Sequence, residues 1–356
     1  MKIIKNILAK LDGVYAVCNI ELFGRLHFLA ATEKQGKCFL FSTPNWKVSV
    51  VWQEPGGTMD LKPIGSGKGA FLAIQNFFPV FKAKEARIVY FELENNKDFQ
   101  WKLRELICLP FVHRIGVVYI DNNPYLIAST FCGDKKDNDD SFTPGAVYIG
   151  KMPEKNNEIL HLEPIIKNIS MNHGFHINVL DNRKIILVSG NEGIFLIFAP
   201  ENSNLQWEYK CLIDKAVSDI FLFDLDNDGV KEIITIEPFH GDNLLIYKFF
   251  KDKFEPIYNM DINSGHALWC GQLNNLQFIL LGNRSGKKEL FFIKVINSDS
   301  NRKFNHLKLE KIILDEGGGP SQISVTQKAH DISILTANNY SGEVVLYNIV
   351  GFEKEF

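Results

Sequence analysis

This sequence of 356 residues has no long apolar run, no paired cysteine motif and no large excess of charge of either sign. Without an apolar run of about 18 residues it has no transmembrane helix, and early charges leave no room for a signal-peptide core. A net charge of -3 gives nucleic acid no basic surface. Six scattered cysteines are typical of reduced thiols. We therefore expect a cytoplasmic protein with neither nucleic acid nor membrane as a partner.

Amphipathic helical patterns are scarce as well, and aromatic residues are abundant. The chain contains 28 Phe, 10 Tyr and 5 Trp, but only 5 Met. Short apolar runs such as 71–74, 185–188 and 233–236 are bounded by Gly, Asn, Asp and Lys. Because aromatic and β-branched residues suit pleated, packed surfaces, these runs predict an all-β protein built from many short strands.

Seven segments of the chain can be superposed on one another, each with an aliphatic anchor residue in the same place. The anchors are 43 to 62 residues apart and are Val17, Leu61, Ile115, Ile177, Ile220, Leu268 and Ile323. Three further apolar runs usually follow each anchor, which predicts a seven-bladed β-propeller with four antiparallel strands per blade, in a single domain spanning 1–356. The last unit lacks a fourth strand, so we expect the N-terminal strand at 2–8 to complete it. A pair of stacked sandwiches is the alternative.

The residues just before the anchors should converge on the mouth of the central channel, because the first strand of each blade lines it. Five consecutive units offer Asp60, His113, His176, Asp219 and His266 there. Three of the nine histidines fall within the 14 positions that directly precede the seven anchors, which is more than chance would place there. Imidazole and carboxylate groups together bind divalent cations. We predict that His113, His176, Asp219 and His266 bind Zn, Mn, Fe or Mg. Neighbouring side chains on a strand point in opposite directions, so His113 and His266 can face the same way as His176 only if the register shifts by one residue. His173 is the alternative ligand if it does not.

Further polar residues are expected at the same mouth. Those predicted to bind substrate are Asp60, Gln75, Asn191, Asn283, Arg284, Gln322 and Asn338, and those predicted to be catalytic are His113, Arg114, Glu237 and His240. Amides, guanidinium groups and carboxylates in fixed positions suit a carbohydrate. Two alternatives stay open: the histidines could be hydrogen-bonded packing residues, and Asp60 and Asp219 could brace backbone amides between blades.

A second motif follows the anchor of the fifth unit. Asp224, Asp226, Asp228, Val230 and Glu232 place oxygen ligands at the spacing of a calcium-binding loop, with Gly at the sixth position. The other units lack this motif. We therefore predict a single calcium site at 224–232 that braces the structure, with a plain acidic turn as the alternative.

Two resemblances rest on these residues. The stretch 221–234 resembles the calcium-loop repeat of FG-GAP (VCBS-type) propellers. The stretches 112–115 with 126–133, and 265–269 with 280–284, resemble the propeller domain of aldos-2-ulose dehydratases, although the cupin domains of that family are missing from this sequence. This second resemblance implies a metal-dependent lyase or dehydratase acting on a keto-sugar or sugar acid.

The resemblance also implies a mechanism. A cation would stabilise the enolate, a neutral histidine or Glu237 would take the proton, and His240 or Arg114 would assist departure of the hydroxyl group. The competing hypothesis is a non-catalytic propeller that binds a glycan or a protein. The substrate, the oligomeric state and the role of the loop 133–145 stay open.

Overall fold

The computed structural model describes residues 2–65, 69–80, 82–95, 99–135, 142–154, 158–274, 276–296, 308–328 and 331–350. Within these ranges the chain forms thirty β-strands and no helix. Twenty-eight strands form seven four-stranded antiparallel sheets arranged as a propeller, and the other two pair with each other. The predicted fold class is confirmed.

The strands follow the order of the seven blades. Strand β1 is Lys2–Lys10. Blade 1 contains β2 (Val14–Leu22), β3 (Arg25–Thr32), β4 (Cys38–Ser42) and β5 (Lys47–Trp52). Blade 2 contains β6 (Leu61–Ile64), β7 (Ala70–Gln75), β8 (Arg87–Asn95) and β9 (Gln100–Cys108). Blade 3 contains β10 (Val112–Ile120), β11 (Asn123–Thr130), β14 (Gly145–Lys151) and β15 (Glu163–Ile169), with the pair β12 (Asp134–Lys135) and β13 (Phe142–Thr143) inserted.

The remaining blades repeat the pattern. Blade 4 contains β16 (Gly174–Leu180), β17 (Arg183–Gly190), β18 (Gly193–Phe198) and β19 (Glu208–Ile213). Blade 5 contains β20 (Asp219–Phe223), β21 (Glu232–Glu237), β22 (Asn243–Phe250) and β23 (Lys253–Asp261). Blade 6 contains β24 (Gly265–Leu273), β25 (Leu276–Asn283), β26 (Leu290–Ile296) and β27 (Lys308–Asp315). Blade 7 contains β28 (Pro320–Lys328), β29 (Asp331–Asn338) and β30 (Glu343–Val350).

The ring closes where the two ends of the chain meet. Strand β1 pairs antiparallel with β30 and becomes the outer strand of blade 7, in the order β1-β30-β29-β28. It covers the edge that β30 would otherwise expose, and unpaired edges promote association with other chains. The sequence prediction that the N-terminal strand completes the last blade is confirmed.

The first strands line the central channel, and each contains its anchor residue. Four of them carry a β-bulge at their second residue, namely at Tyr15, His113, His266 and Ser321. A bulge inserts an extra residue opposite one partner residue and redirects its side chain. The first strand of blade 4, β16, pairs with β17 without a bulge. This difference decides which histidines meet.

Aromatic residues pack between the blades. Between blades 1 and 2, the rings of Trp52, Phe71 and Phe91 stack with centroid separations of 4.7 Å for Trp52–Phe91 and 4.8 Å for Phe71–Phe91. Phe71 and Phe91 are fully buried. Burial of one such side chain stabilises the fold by roughly 1.5–3 kcal/mol, which explains why a phenylalanine-rich sequence forms this architecture.

The structure bears on the expectations for the cysteines, for membrane-spanning helices and for the loop 133–145. All six cysteines are free thiols, and four are buried. In the part of the chain that the structure covers, no helix is long and apolar enough to span a bilayer. The predicted loop 133–145 falls partly on residues 136–141, which lie outside the described residues.

Candidate functional site

Three histidines from consecutive blades meet at one end of the channel. They are His173, in the segment before β16, His240, in the loop between β21 and β22, and His266, at the bulge of β24. One ring nitrogen of each lies within 4.8 Å of one ring nitrogen of the other two. We call these three residues the histidine cluster. A group of this kind can hold a metal ion.

Backbone carbonyl groups of the following blade fix the orientation of two rings. The Nδ1 atom of His173 lies 3.3 Å from the Ser218 carbonyl oxygen, and Nδ1 of His266 lies 2.8 Å from that of Ser321. A carbonyl oxygen only accepts, so each Nδ1 carries the proton and donates it, and the lone pair is on Nε2. Metal-binding histidines are commonly oriented in this way.

The third ring contributes a nitrogen without a partner. The Nε2 atom of His240 is buried and unpaired among the described residues, although such atoms normally find a hydrogen-bond partner. The loop holding His240 turns through a left-handed backbone conformation at this residue, with φ of 45°. The His240 ring centroid lies 4.5 Å from that of His266 and 5.2 Å from that of His173.

A fourth histidine and several phenylalanines surround the cluster. The His113 ring lies 4.9 Å from the His173 ring, and its Nδ1 is also buried without a partner among the described residues. Phe77 and Phe131 contact the His113 ring at centroid distances of 5.4 and 5.7 Å, and Phe239 stacks on the His240 ring at 4.0 Å. These aromatic contacts make this side of the cluster apolar.

The surroundings keep the histidines neutral at physiological pH. Burial is the main cause of pKa values well below the usual range for His113, His173 and His266, and nearby Arg114 adds to the effect. Burial, with Arg284 and Arg114, lowers the pKa of His240 to about 3. Neutral imidazoles have a free lone pair, as metal binding requires.

Arg114 is a buried cation held by uncharged groups. Its Nε donates to the His173 carbonyl oxygen at 3.1 Å and its Nη1 to the Met59 carbonyl oxygen at 3.0 Å. Its Nη2 lies 3.2 Å from Nε2 of His173, the acceptor of that contact. Arg114 is 8% exposed. Although burial disfavours its charge, Tyr15, Asp60 and Asp219 together raise the pKa of Arg114. The charge of Arg114 is therefore stabilised by nearby carboxylates that do not hydrogen-bond it among the described residues.

The channel forms a cavity of about 420 Å³ that begins at the cluster. Arg114 and His266 border both the cluster and the cavity. The position immediately before the anchor supplies most of the polar lining: Arg114, His176, Asp219 and Gln322, with Lys62 one residue after its anchor. The volume lies in the range of small-molecule sites.

Asp219 is the carboxyl group that faces this cavity. Its Oδ1 accepts a hydrogen bond from the Ile220 amide at 2.9 Å. Burial raises the pKa of Asp219 to about 7, against the opposing effect of Arg114. A carboxyl group that titrates near neutrality in a cavity is suited to general acid–base catalysis.

The predicted metal ligands divide between the cluster and the cavity. His266 belongs to the cluster and His113 lies beside it, whereas His176 and Asp219 line the cavity. The His176 ring packs on Phe221 at 3.9 Å, and its Nε2 lies 3.0 Å from Nδ2 of Asn178. The bulges of β10 and β24 and the unbulged β16 produce this division, and His173 takes the place expected for His176.

Several residues predicted at the mouth instead serve the framework. Asp60 accepts from the Leu61 and Ile115 amides and so links blades 2 and 3. Glu237 accepts from Thr235 and Tyr247. The other predicted residues are placed as follows: Gln75, Asn283 and Asn338 are buried at the ends of second strands, Asn191 is exposed, Arg284 donates to Asn339 at 2.6 Å, and Gln322 accepts from the Val17 amide at 2.7 Å.

The ammonium group of Lys248, a residue of β22, lies among the carboxylates of the predicted calcium loop. Its Nζ is 2.6 Å from Asp226, 2.7 Å from Asp228 and 2.9 Å from Glu232. Asp224 accepts from the Asp228 and Gly229 amides, and Val230 is exposed. The ammonium group thus supplies the positive charge that calcium would supply, so calcium binding requires that the ion displace Lys248.

Sequence reasoning did not predict Tyr15 and Lys62 as site residues. Tyr15 Oη lies 3.4 Å from Nε2 of His266, and Lys62 lines the cavity. Both were visible as neighbours of the anchors Val17 and Leu61. A search for histidine and acidic residues alone passes over them.

Comparisons with known proteins place this chain by its fold. No known protein family matches the sequence, and no curated protein matches it either. A chain of the mitotic checkpoint complex is 10% identical, with TM-score 0.58 over 98% of this chain and 93% of its own. The Cps50 (Swd1) propeller domain of Myceliophteria thermophila is 9% identical, with TM-score 0.58 over 98% and 100%.

A third solved structure is an enzyme. The soluble aldose sugar dehydrogenase of Escherichia coli, in its apo form, is 13% identical, with TM-score 0.51 over 97% of this chain and 99% of its own. At such low identities these similarities establish the shared propeller fold alone. By fold, this chain is a seven-bladed β-propeller.

Proposed function

We propose that this protein is a metal-dependent carbohydrate lyase or dehydratase whose metal centre is the histidine cluster. The supporting observation is the convergence of three neutral imidazoles, two with Nδ1 bonded to a carbonyl oxygen and the third with an unpaired buried Nε2. Three histidines leave further coordination positions for substrate, as in catalytic zinc sites. The imidazole donors favour zinc or iron over magnesium.

His173, His240 and His266 would hold the ion, and Arg114 would have to release Nε2 of His173. A bound divalent ion would polarise a sugar carbonyl and stabilise negative charge on the adjacent carbon. Arg114 is positioned to bind an anionic oxygen of the substrate, and Trp269 also lines the cavity.

Asp219 is the proposed proton acceptor in place of Glu237. It faces the cavity with a pKa near neutrality, whereas the Glu237 carboxylate is engaged by Thr235 and Tyr247. In an elimination reaction the base removes the proton next to the carbonyl group, the C–O bond on the following carbon breaks, and the departing hydroxyl group takes up the proton that Asp219 has accepted and leaves as water. The Asp219→Asn variant should lose activity by at least about 100-fold with its metal content unchanged.

Metal analysis tests the centre itself. We expect the purified protein to bind one zinc or iron ion per chain, and His240→Ala and His266→Ala to bind almost none. His176→Ala is the matched control, because His176 lines the cavity outside the cluster, and it should retain the metal. Unchanged metal content in both cluster variants would refute the proposal, and metal binding without turnover of sugars or sugar acids would favour the non-catalytic alternative.

A further inference from the structure

The cavity beside the histidine cluster is lined by two cations, Arg114 and Lys62, and by one carboxyl group, that of Asp219. Arg114 is 8% exposed and donates to two carbonyl oxygens and one imidazole, and the nearby carboxylates of Asp60 and Asp219 raise its pKa against the effect of burial. A buried charge is costly without a compensating partner. Because no carboxylate of the described residues hydrogen-bonds Arg114, its guanidinium group can bind an anionic ligand at the wall of the cavity.

A second cation lines the same cavity. Lys62 is half-exposed, at 38%, and its Nζ lies 3.3 Å from Oδ1 of Asp60. Both Asp60 oxygens also accept backbone amides, from Leu61 and Ile115, so this carboxylate is shared among several donors. Lys62 therefore keeps the capacity to bind an anion in the cavity.

We infer that the channel cavity is a carboxylate-binding subsite for a sugar acid, with Arg114 and Lys62 as its anion-binding groups. This names the substrate class of the proposed lyase and rests on that proposal for its catalytic meaning, although the binding itself needs no metal. Guanidinium binds carboxylate in a bidentate geometry and ammonium binds it as a point charge. The sugar ring would then extend towards His266.

The proposed subsite has a chemical consequence for the elimination. In a sugar acid, the proton to be removed lies next to the carboxylate, and its loss places a second negative charge on that group. Cations that contact the carboxylate stabilise this charge more than they stabilise the ground state, which is how binding groups accelerate a reaction. Asp219, in the same cavity, would take that proton.

Calorimetric binding of D-glucuronate and D-glucose to the full chain tests the inference. We expect glucuronate to bind at least about tenfold more tightly than glucose, with this preference weakening as salt increases. Lys62→Met should weaken glucuronate binding about tenfold and Asp219→Asn should strengthen it, because the latter removes a negative charge from the cavity.

Three outcomes would overturn the inference: equal binding of the two sugars, unchanged glucuronate binding by Lys62→Met, or tighter binding of inorganic phosphate than of glucuronate. Arg114→Lys, which keeps the charge, should retain part of the preference. Repeating the titration on metal-free His240→Ala separates the two proposals. Glucuronate binding there supports the subsite even if metal analysis refutes the metal centre, and its absence from a folded variant counts against the subsite.

Discussion

Replacing Lys248 by Met should lower the free energy of unfolding by about 3–5 kcal/mol, because it leaves three carboxylates close together without their shared counter-charge. Lys248 is 12% exposed and Glu232 is fully buried. Chemical denaturation at pH 7 to 8 measures the loss. Lys253→Met, in the same blade, removes an exposed pair with Glu255 and should cost less than about 1 kcal/mol.

The effect of this substitution should depend on pH. Burial raises the pKa of Glu232 to about 7, above its value in the unfolded chain. Folding therefore favours its protonated form, and the contribution of Glu232 to stability decreases as pH rises from about 4.5 to 7. A neutral Glu232 needs no counter-charge, so Lys248→Met should destabilise the protein less at pH 5 than at pH 8.

The same variant decides the calcium prediction. With the ammonium group removed, Asp224, Asp226 and Glu232 retain oxygens within 4.8 Å of one another. We expect calcium to raise the melting temperature of Lys248→Met and to leave that of the unmodified protein unchanged. A calcium-dependent rise in the unmodified protein would show that the ion displaces Lys248, as the FG-GAP resemblance implies.

The fold was predictable because its signal repeats. Anchors such as Val17 and Ile323 recur with similar flanking apolar runs, so a wrong alignment of one unit leaves the pattern of the other six intact. Every anchor lies in the first strand of its blade. Strand alternation and ring closure follow from the same repeat, which is why the role of the N-terminal strand could also be predicted.

The site was only partly predictable because it depends on single-residue shifts of register. The bulges at His113 and His266 redirect these side chains, whereas β16 has no bulge and directs His176 into the cavity. Nothing in the spacing of residues distinguishes a bulged from a regular strand start. The carbonyl partners that orient His173 and His266 come from neighbouring blades and have no sequence pattern at all.

Lys248 shows a second limit of sequence reasoning. The loop 224–232 has calcium spacing, but the group that competes for its oxygens is located on β22, across the hairpin. The calcium-binding motif in the sequence identifies the available oxygen ligands, but it does not show that the ammonium group of Lys248 lies beside them. Tertiary contacts decide between an ion and an ammonium group.

Deleting residues 1–10 should remove about 4–8 kcal/mol of stability, comparable with the whole stability of many domains. Strand β1 pairs with β30 over most of its length, and each ladder hydrogen bond contributes about 1 kcal/mol net. The truncated chain would expose β30 as an open edge, so we also expect self-association. Thermal unfolding and sedimentation measure the two effects.

A synthetic peptide of residues 1–10 should restore the melting temperature of the truncated chain, because the missing strand is the outermost of blade 7 and can bind from solvent. Two isoleucines of β1 that differ in burial provide the control. Ile3 packs against the core between blades 6 and 7, whereas Ile7 is 51% exposed. An Ile3→Lys peptide should fail to restore stability and an Ile7→Lys peptide should succeed, since only the first buries a charge. Equal rescue by both peptides, or full stability of the truncated chain without any peptide, would contradict closure of the ring by this strand.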